Sequence, residues 1–316
     1  MPVHLDAAHL ALGVAAGLTT ALCSAVSYLV SRHHGGRAGG PIRLLVLAHL
    51  LMGVACIPAT ALLWPRGLPV ARVWLVPLIG CAATYLAGQA VVFAALRRAD
   101  ASRVAPLLGL KIVMLAAITS CLPGGRLDAR QWVAVGLSVA AALMLQRGGG
   151  GLPPAALASI VAACVAFAIS DLFIVGLIDG LQAAAAGAAV PLGRLHAGGL
   201  AMTVTYVVCG ATALIMLAAP PLRPRNRIVW TGAGQYAVTW LLGMAALYAC
   251  LGVVGAVFGN ILQSTRGIMA IVIGAALAHL GWHDLETRVD AGTLLRRVAA
   301  AVLMTSAIAI YVIDLS

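Results

Sequence analysis

Three charged residues lie alone inside apolar runs. Lys111, the single lysine of the chain, sits in VAPLLGLKIVMLAAI (104–118); Arg266 sits in GNILQSTRGIMAIVIG (259–274); Asp171 is the carboxylate held within ISDLF (169–173). A charge near the middle of a bilayer costs several kcal/mol unless it meets water or a partner, so these residues are candidates for function before any fold is known. Two cations can attract an anionic group. Asp171 can neutralise one of them, relay a proton or hold an amino group, and a purely structural ion pair is the rival reading. At helical spacing Gly259, Gln263, Arg266 and Ala270 share one face, as do Val104, Leu108, Lys111 and Leu115. Gln89, Tyr85, Tyr236, Gln235, Trp240 and Asn260 are weaker candidates, because polar residues in spans bond neighbouring helices more often than ligands. His9, His49, His196 and His279 are expected near span ends, as interfacial or packing residues. Asp179 is expected at the interface.

The elements that must position these residues follow from composition. The chain of 316 residues is 62% hydrophobic and 9% charged, with mean hydropathy +1.04, whereas a soluble domain carries about 25% charged residues. Apolar runs of about 20 residues match the roughly 30 Å of hydrocarbon a helix must cross. The expected fold is therefore an all-α polytopic membrane protein. Its spans are read at 7–30, 42–63, 73–96, 104–118, 129–145, 155–180, 195–218, 229–251, 255–280 and 294–313, with the alanine-rich stretch up to Pro191 readable as helix or loop. RGGGGLPP (147–154) is the clearest linker, since its glycines and prolines continue neither flanking helix. It divides the chain into five-helix groups over 1–147 and 155–316, joined by a Gly/Pro linker over 148–154.

An odd number of spans per group requires the two to insert in opposite senses, which gives inverted five-helix repeats with a site at the midplane. Residues 93–113 aligned with 248–268 share four identities and pair Phe93 with Tyr248 and Lys111 with Arg266. VSYLV (26–30) echoes ISDLF (169–173). With the N-terminus outside, thirteen arginines fall in cytoplasmic loops and five (Arg66, Arg72, Arg126, Arg130 and Arg194) outside, so the positive-inside rule favours outer termini.

The net charge of +11 does not imply nucleic acid: the basic residues sit in short loops without interleaved aromatics. The seven cysteines fall inside spans and show no ligand spacing, so they read as packing residues without a metal or disulfide role. The N-terminus lacks a positive n-region, and the first apolar run is read as a retained span. No phosphate-binding loop points to ATP, and no cofactor is expected.

FAALRRADASRVAPLLGLKIVMLAAI (93–118), followed by LDARQWVAVGLSVAAALML (127–145), resembles the drug/metabolite transporter superfamily. The likeness is to its ten-span branch of two EamA-like repeats, and the second half follows the same plan less closely from Tyr248 to Val312. The resemblance implies alternating-access transport of a small metabolite across the cytoplasmic membrane. It also implies cytoplasmic termini, against the arginine count. The family's frequent "GE" pair at the end of the fourth span is replaced here by Gly125-Arg126-Leu127-Asp128, and a single Arg266 stands where phosphate translocators carry a basic pair. The site then expected comprises Lys111, Arg266, Asp171, Gln263, Asn260, Gln89, Tyr85, Tyr236 and Trp240, open to proton or counter-substrate coupling. A channel or lipid scramblase is the alternative. An intramembrane enzyme is disfavoured by in-span acids and histidines too few and scattered for a common cleft.

Overall fold

The computed structural model describes residues 7–37, 40–99, 101–120, 153–224, 227–281 and 290–312, with scattered helical positions between 129 and 144. Every regular element among the described residues is helical: α1 (Ala7–Arg37), α2 (Pro41–Leu63), α3 (Arg72–Leu96), α4 (Ala101–Leu107), α5 (Lys111–Ser120), α6 (Pro154–Gly187), α7 (Arg194–Met216), α8 (Arg227–Ser264), α9 (Arg266–His279) and α10 (Ala291–Val312). In hydrocarbon a backbone satisfies its own hydrogen bonds only as a helix or closed barrel, and these apolar runs take the first course. Six are long and apolar enough to cross a membrane: α1, α2, α3, α6, α7 and the Arg227–Val254 part of α8. The expected count of ten spans is thus not reached among the described residues. Part of the fifth expected span, the glycine run of the linker, Cys121 and Asp128 lie outside them.

Several boundaries differ from expectation. The first helix does not stop at Val30 but continues to Arg37. Arg32 is therefore not in a loop: its Nη1 donates to the carbonyls of Leu96 at 2.8 Å and Ala99 at 3.0 Å, satisfying groups that the end of α3 leaves without helical partners. The alanine-rich stretch extends α6 to Gly187, making it 34 residues long. The Val190 amide closes it onto Ala185 O at 2.8 Å, with Ala189 in the left-handed region at φ 54.

The two halves interleave. α1 packs along α8, α3 along α6, and α2 along α7. Exchanging the halves, first span for sixth and third for eighth, maps this pairing onto itself. At the α2–α7 crossing the backbones touch: a Cβ built on Gly53 would stand 2.6 Å from Gly210 Cα, and one on Gly210 2.6 Å from Gly53 Cα. Gly17 lies similarly against Leu262, and Gly13 against Val254. α8 turns back on itself: a Cβ on Gly259 would lie 2.8 Å from Leu251 Cδ2, whereas an unbroken helix would separate these positions by roughly 12 Å. The reversal falls where the eighth and ninth spans were expected to part, and the returning arm runs towards α9.

Candidate functional site

Two expected spans are interrupted at the same place relative to their cation. α4 stops at Leu107, a 3₁₀ turn occupies Leu108–Leu110, and α5 starts at Lys111. In the second half α8 stops at Ser264 and α9 starts at Arg266. Local chemistry accounts for both. Thr265 donates its hydroxyl to Leu262 O at 2.6 Å and its amide to the same carbonyl at 3.2 Å. It thereby crowds the acceptor that the Arg266 amide would use in a regular helix. In the first half the Lys111 amide bonds to the Leu108 and Gly109 carbonyls. Leu107 O, its regular acceptor, meets Cys164 Sγ at 3.6 Å.

Each cation then reaches into the other half. Lys111 Nζ donates to Gln263 Oε1 at 2.7 Å and lies 2.8 Å from Asp171 Oδ2. Arg266 Nη2 donates to Leu108 O at 2.8 Å, on the 3₁₀ turn that precedes Lys111. Lys111, Asp171 and Arg266 are each only 4% exposed. Among the described residues Arg266 makes no ion pair, and its Nε has no hydrogen-bond partner. Among the described residues, two cations facing one carboxylate leave one uncompensated positive charge, an arrangement that burial penalises strongly.

These groups line a cavity of about 30 Å³ with Tyr28, Tyr85, Phe167, Tyr206, Trp240 and Tyr248. At about 10–15 Å³ per water molecule it has room for roughly two, so this conformation is closed to a metabolite. Hydrogen bonds order the aromatic wall. Trp240 Nε1 donates to Tyr206 Oη at 2.8 Å, and Tyr206 donates to Tyr85 Oη at 3.0 Å. The Tyr236 ring stacks on Trp240, with centroids 5.5 Å apart and planes at 9°.

The structure brings Lys111, Asp171, Arg266, Gln263, Tyr85 and Trp240 together around the cavity. Gln89 and Tyr236 form a pair behind the wall, with Tyr236 Oη donating to Gln89 Oε1 at 3.3 Å. Asn260 is buried on the returning arm of α8 without lining the cavity. Gln235 is exposed and bonds His34 at 2.8 Å, away from the cavity. Asp179 pairs with Arg194 at 3.0 Å, both about half exposed. His196 and His279 sit near helix ends as expected; the described part of His9 is its backbone.

His49 departs from expectation. It is fully buried in α2 rather than placed at an end, and it bonds Leu45 O and Tyr85 Oη. Tyr28, Tyr206 and Tyr248 were not singled out from sequence. The available signals were Tyr28 in VSYLV, which echoes the segment carrying Asp171, and Tyr248, which aligns with Phe93 between the halves.

Residues 11–147 match the EamA-like transporter family. This stretch is thus similar to an EamA-like transporter domain, and the long apolar helices make the chain a multi-pass membrane protein. The matched stretch contributes Lys111 to the cavity, while Asp171 and Arg266 come from beyond the matched residues. A solved crystal structure, described only as that of a protein, shares the fold: TM-score 0.58 at 15% identity, covering 93% of this chain and 95% of the other. No curated protein matches the chain in sequence.

Proposed function

We propose that the protein is a secondary transporter of the drug/metabolite transporter kind. In this reading it moves a small amphipathic metabolite with an anionic group across the cytoplasmic membrane by alternating access. The observation that carries the reading is the buried Arg266, which makes no ion pair among the described residues, beside the Lys111–Asp171 pair in a cavity walled by aromatic rings. An anion entering that cavity would compensate the remaining positive charge, and the rings would contact its apolar part. Gln263 orients Lys111, and Asp171 holds it while the anion is away. The match of residues 11–147 to a transporter family supports the same class.

The halves act as two inverted EamA-like repeats. Support comes from the self-mapping pairing α1–α8, α3–α6 and α2–α7, and from the interruption placed directly before Lys111 and directly before Arg266. Broken helices around a central site are a recurring device of such transporters. The cavity of about 30 Å³ is then an occluded stage of the cycle.

The test is a thermal-stabilisation screen of amphipathic metabolites on wild type and Lys111→Ala, followed by uptake into liposomes. Stabilisation by carboxylates that is lost in Lys111→Ala, with saturable flux showing counterflow, is the expected result. Equal stabilisation of both proteins removes Lys111 from the site. Flux linear in the gradient indicates a channel or scramblase instead, and product formation an enzyme.

A further inference from the structure

His49 belongs to no part of the site above, yet hydrogen bonds tie it to that site in one direction. Its Nδ1 lies 2.8 Å from Leu45 O, and a carbonyl only accepts, so Nδ1 carries the hydrogen and Nε2 of the neutral ring is an acceptor. That Nε2 lies 3.0 Å from Tyr85 Oη. Tyr85 in turn accepts from Tyr206, which accepts from the Trp240 indole. An indole N–H only donates, so every hydrogen from Trp240 to His49 points the same way. The chain is fixed at both ends.

We propose that His49 is a proton-binding site whose occupancy is transmitted to the anion cavity through Tyr85 and Tyr206. The proposal rests on the anion-site reading of that cavity. When Nε2 takes up one proton, its lone pair no longer accepts. Tyr85 then receives the Nε2–H bond and turns its own hydrogen towards Tyr206. Tyr206 accepts from both Tyr85 and Trp240, so its hydrogen turns off the chain, and its ring lines the cavity. Protonation thus offers the cavity an extra donor and adds a positive charge two hydroxyls away. Both effects favour an anion, so proton and anion bind with positive coupling, each raising affinity for the other by the same factor.

The surroundings of His49 are compatible with this role. His49 also lines a second cavity of about 230 Å³ between α2, α3 and α7, beside Leu45, Leu86, Thr212 and Met216, which leaves room next to this residue. Among elements packed against α2, α3 presents Tyr85 and α7 presents Tyr206 and Cys209. α8 and α1 bring Tyr236 and Tyr28 to the same cluster. Lys111, Asp171 and Arg266 lie beyond the two tyrosines, around the first cavity.

The experiment uses the full-length protein with ¹⁵N-labelled histidine and tryptophan, side-chain signals assigned with His49→Gln and Trp240→Phe, and benzoate as the anion probe. In wild type, affinity for ionised benzoate is expected to rise at least tenfold between pH 8 and pH 4.5 as the His49 signals report protonation. His49→Gln is expected to hold the pH 8 affinity throughout. A pH response that persists unchanged in His49→Gln overturns the proposal. Should benzoate bind at no pH, the anion reading fails separately and the nuclear resonance data decide. The Trp240 indole signal must then shift in step with His49 protonation in wild type and stay still in Tyr85→Phe, where His49 still titrates. An indole signal indifferent to His49 protonation in wild type, or a His49 neutral throughout, overturns the relay.

Discussion

Replacing Arg266 by methionine should separate stability from binding. The side chain gives up one charge-assisted hydrogen bond, to Leu108 O at 2.8 Å, worth about 1.5–3 kcal/mol. Against that, a guanidinium 4% exposed and without an ion pair among the described residues is removed, relieving a desolvation cost of several kcal/mol per buried ion. The repulsion between Arg266 and Lys111 also disappears. The balance leaves Arg266→Met as stable as wild type or more so. Anion binding should behave oppositely. A charge about 4 Å from the guanidinium loses about 4 kcal/mol at an effective dielectric near 20. At 1.4 kcal/mol per decade that is roughly a thousandfold in Kd. Thermal unfolding in detergent and calorimetric titration with benzoate measure the two quantities on the same sample. A large fall in Tm with benzoate affinity intact would refute the reasoning and make Arg266 a structural tie on the 3₁₀ turn.

Asp171→Asn should do the reverse to stability: it strands Lys111, whose carboxylate partner lies at 2.8 Å, at a cost of about 3–5 kcal/mol. Adding Lys111→Met to it should recover most of that loss, and a double-mutant cycle by thermal unfolding checks the coupling. Thr265→Val keeps the side-chain shape but removes the hydroxyl that takes Leu262 O. It should let the helix run through Ser264–Arg266, weakening benzoate binding while stability changes by less than about 1 kcal/mol. Asp290 accepts from the Thr293 hydroxyl at 2.7 Å and the Thr293 amide at 2.9 Å at the start of α10, and these bonds hold its pKa below the ordinary carboxylate value. A carboxylate depressed in the folded state contributes fully above its unfolded pKa, and the contribution is lost as pH falls through the folded one. Unfolding curves followed from pH 7 to below pH 3 should therefore begin to lose this cap's contribution in wild type only below the ordinary carboxylate pKa, a loss that Asp290→Ala does not show.

The charged centre of the cavity was legible because a lone charge in an apolar run has few places to go. Lys111, Asp171 and Arg266 were marked by type and depth alone, and they converge. His49 was misjudged for a related reason: counting positions from an expected span end says nothing about which neighbours cross the helix there, and Tyr85 and Tyr206 come from α3 and α7. Of the aromatic wall, Tyr85 and Trp240 were among the expected residues, whereas Tyr28, Tyr206 and Tyr248 stayed hidden because tyrosine in a span is equally at home at an interface. The interruptions before Lys111 and Arg266 were invisible to periodicity, since residues around a 3₁₀ turn keep nearly helical spacing. Only the ST pair ahead of Arg266 carried a hint, through hydroxyls that compete for backbone carbonyls. The length of α1 was underestimated and that of α6 left open, because polar or alanine-rich tails continue a helix without adding to an apolar run.

The bare contact of Gly53 with Gly210 has a mechanical consequence. Where helices usually mesh, ridges seat in grooves and resist sliding; here α2 and α7 meet as smooth shafts. In the proposed alternating-access cycle this point would serve as a pivot between the halves, with the resistance to opening concentrated at the contacts around it. A methyl group grafted onto either glycine would act as a detent, stiffening the swing while leaving the charged centre chemically untouched.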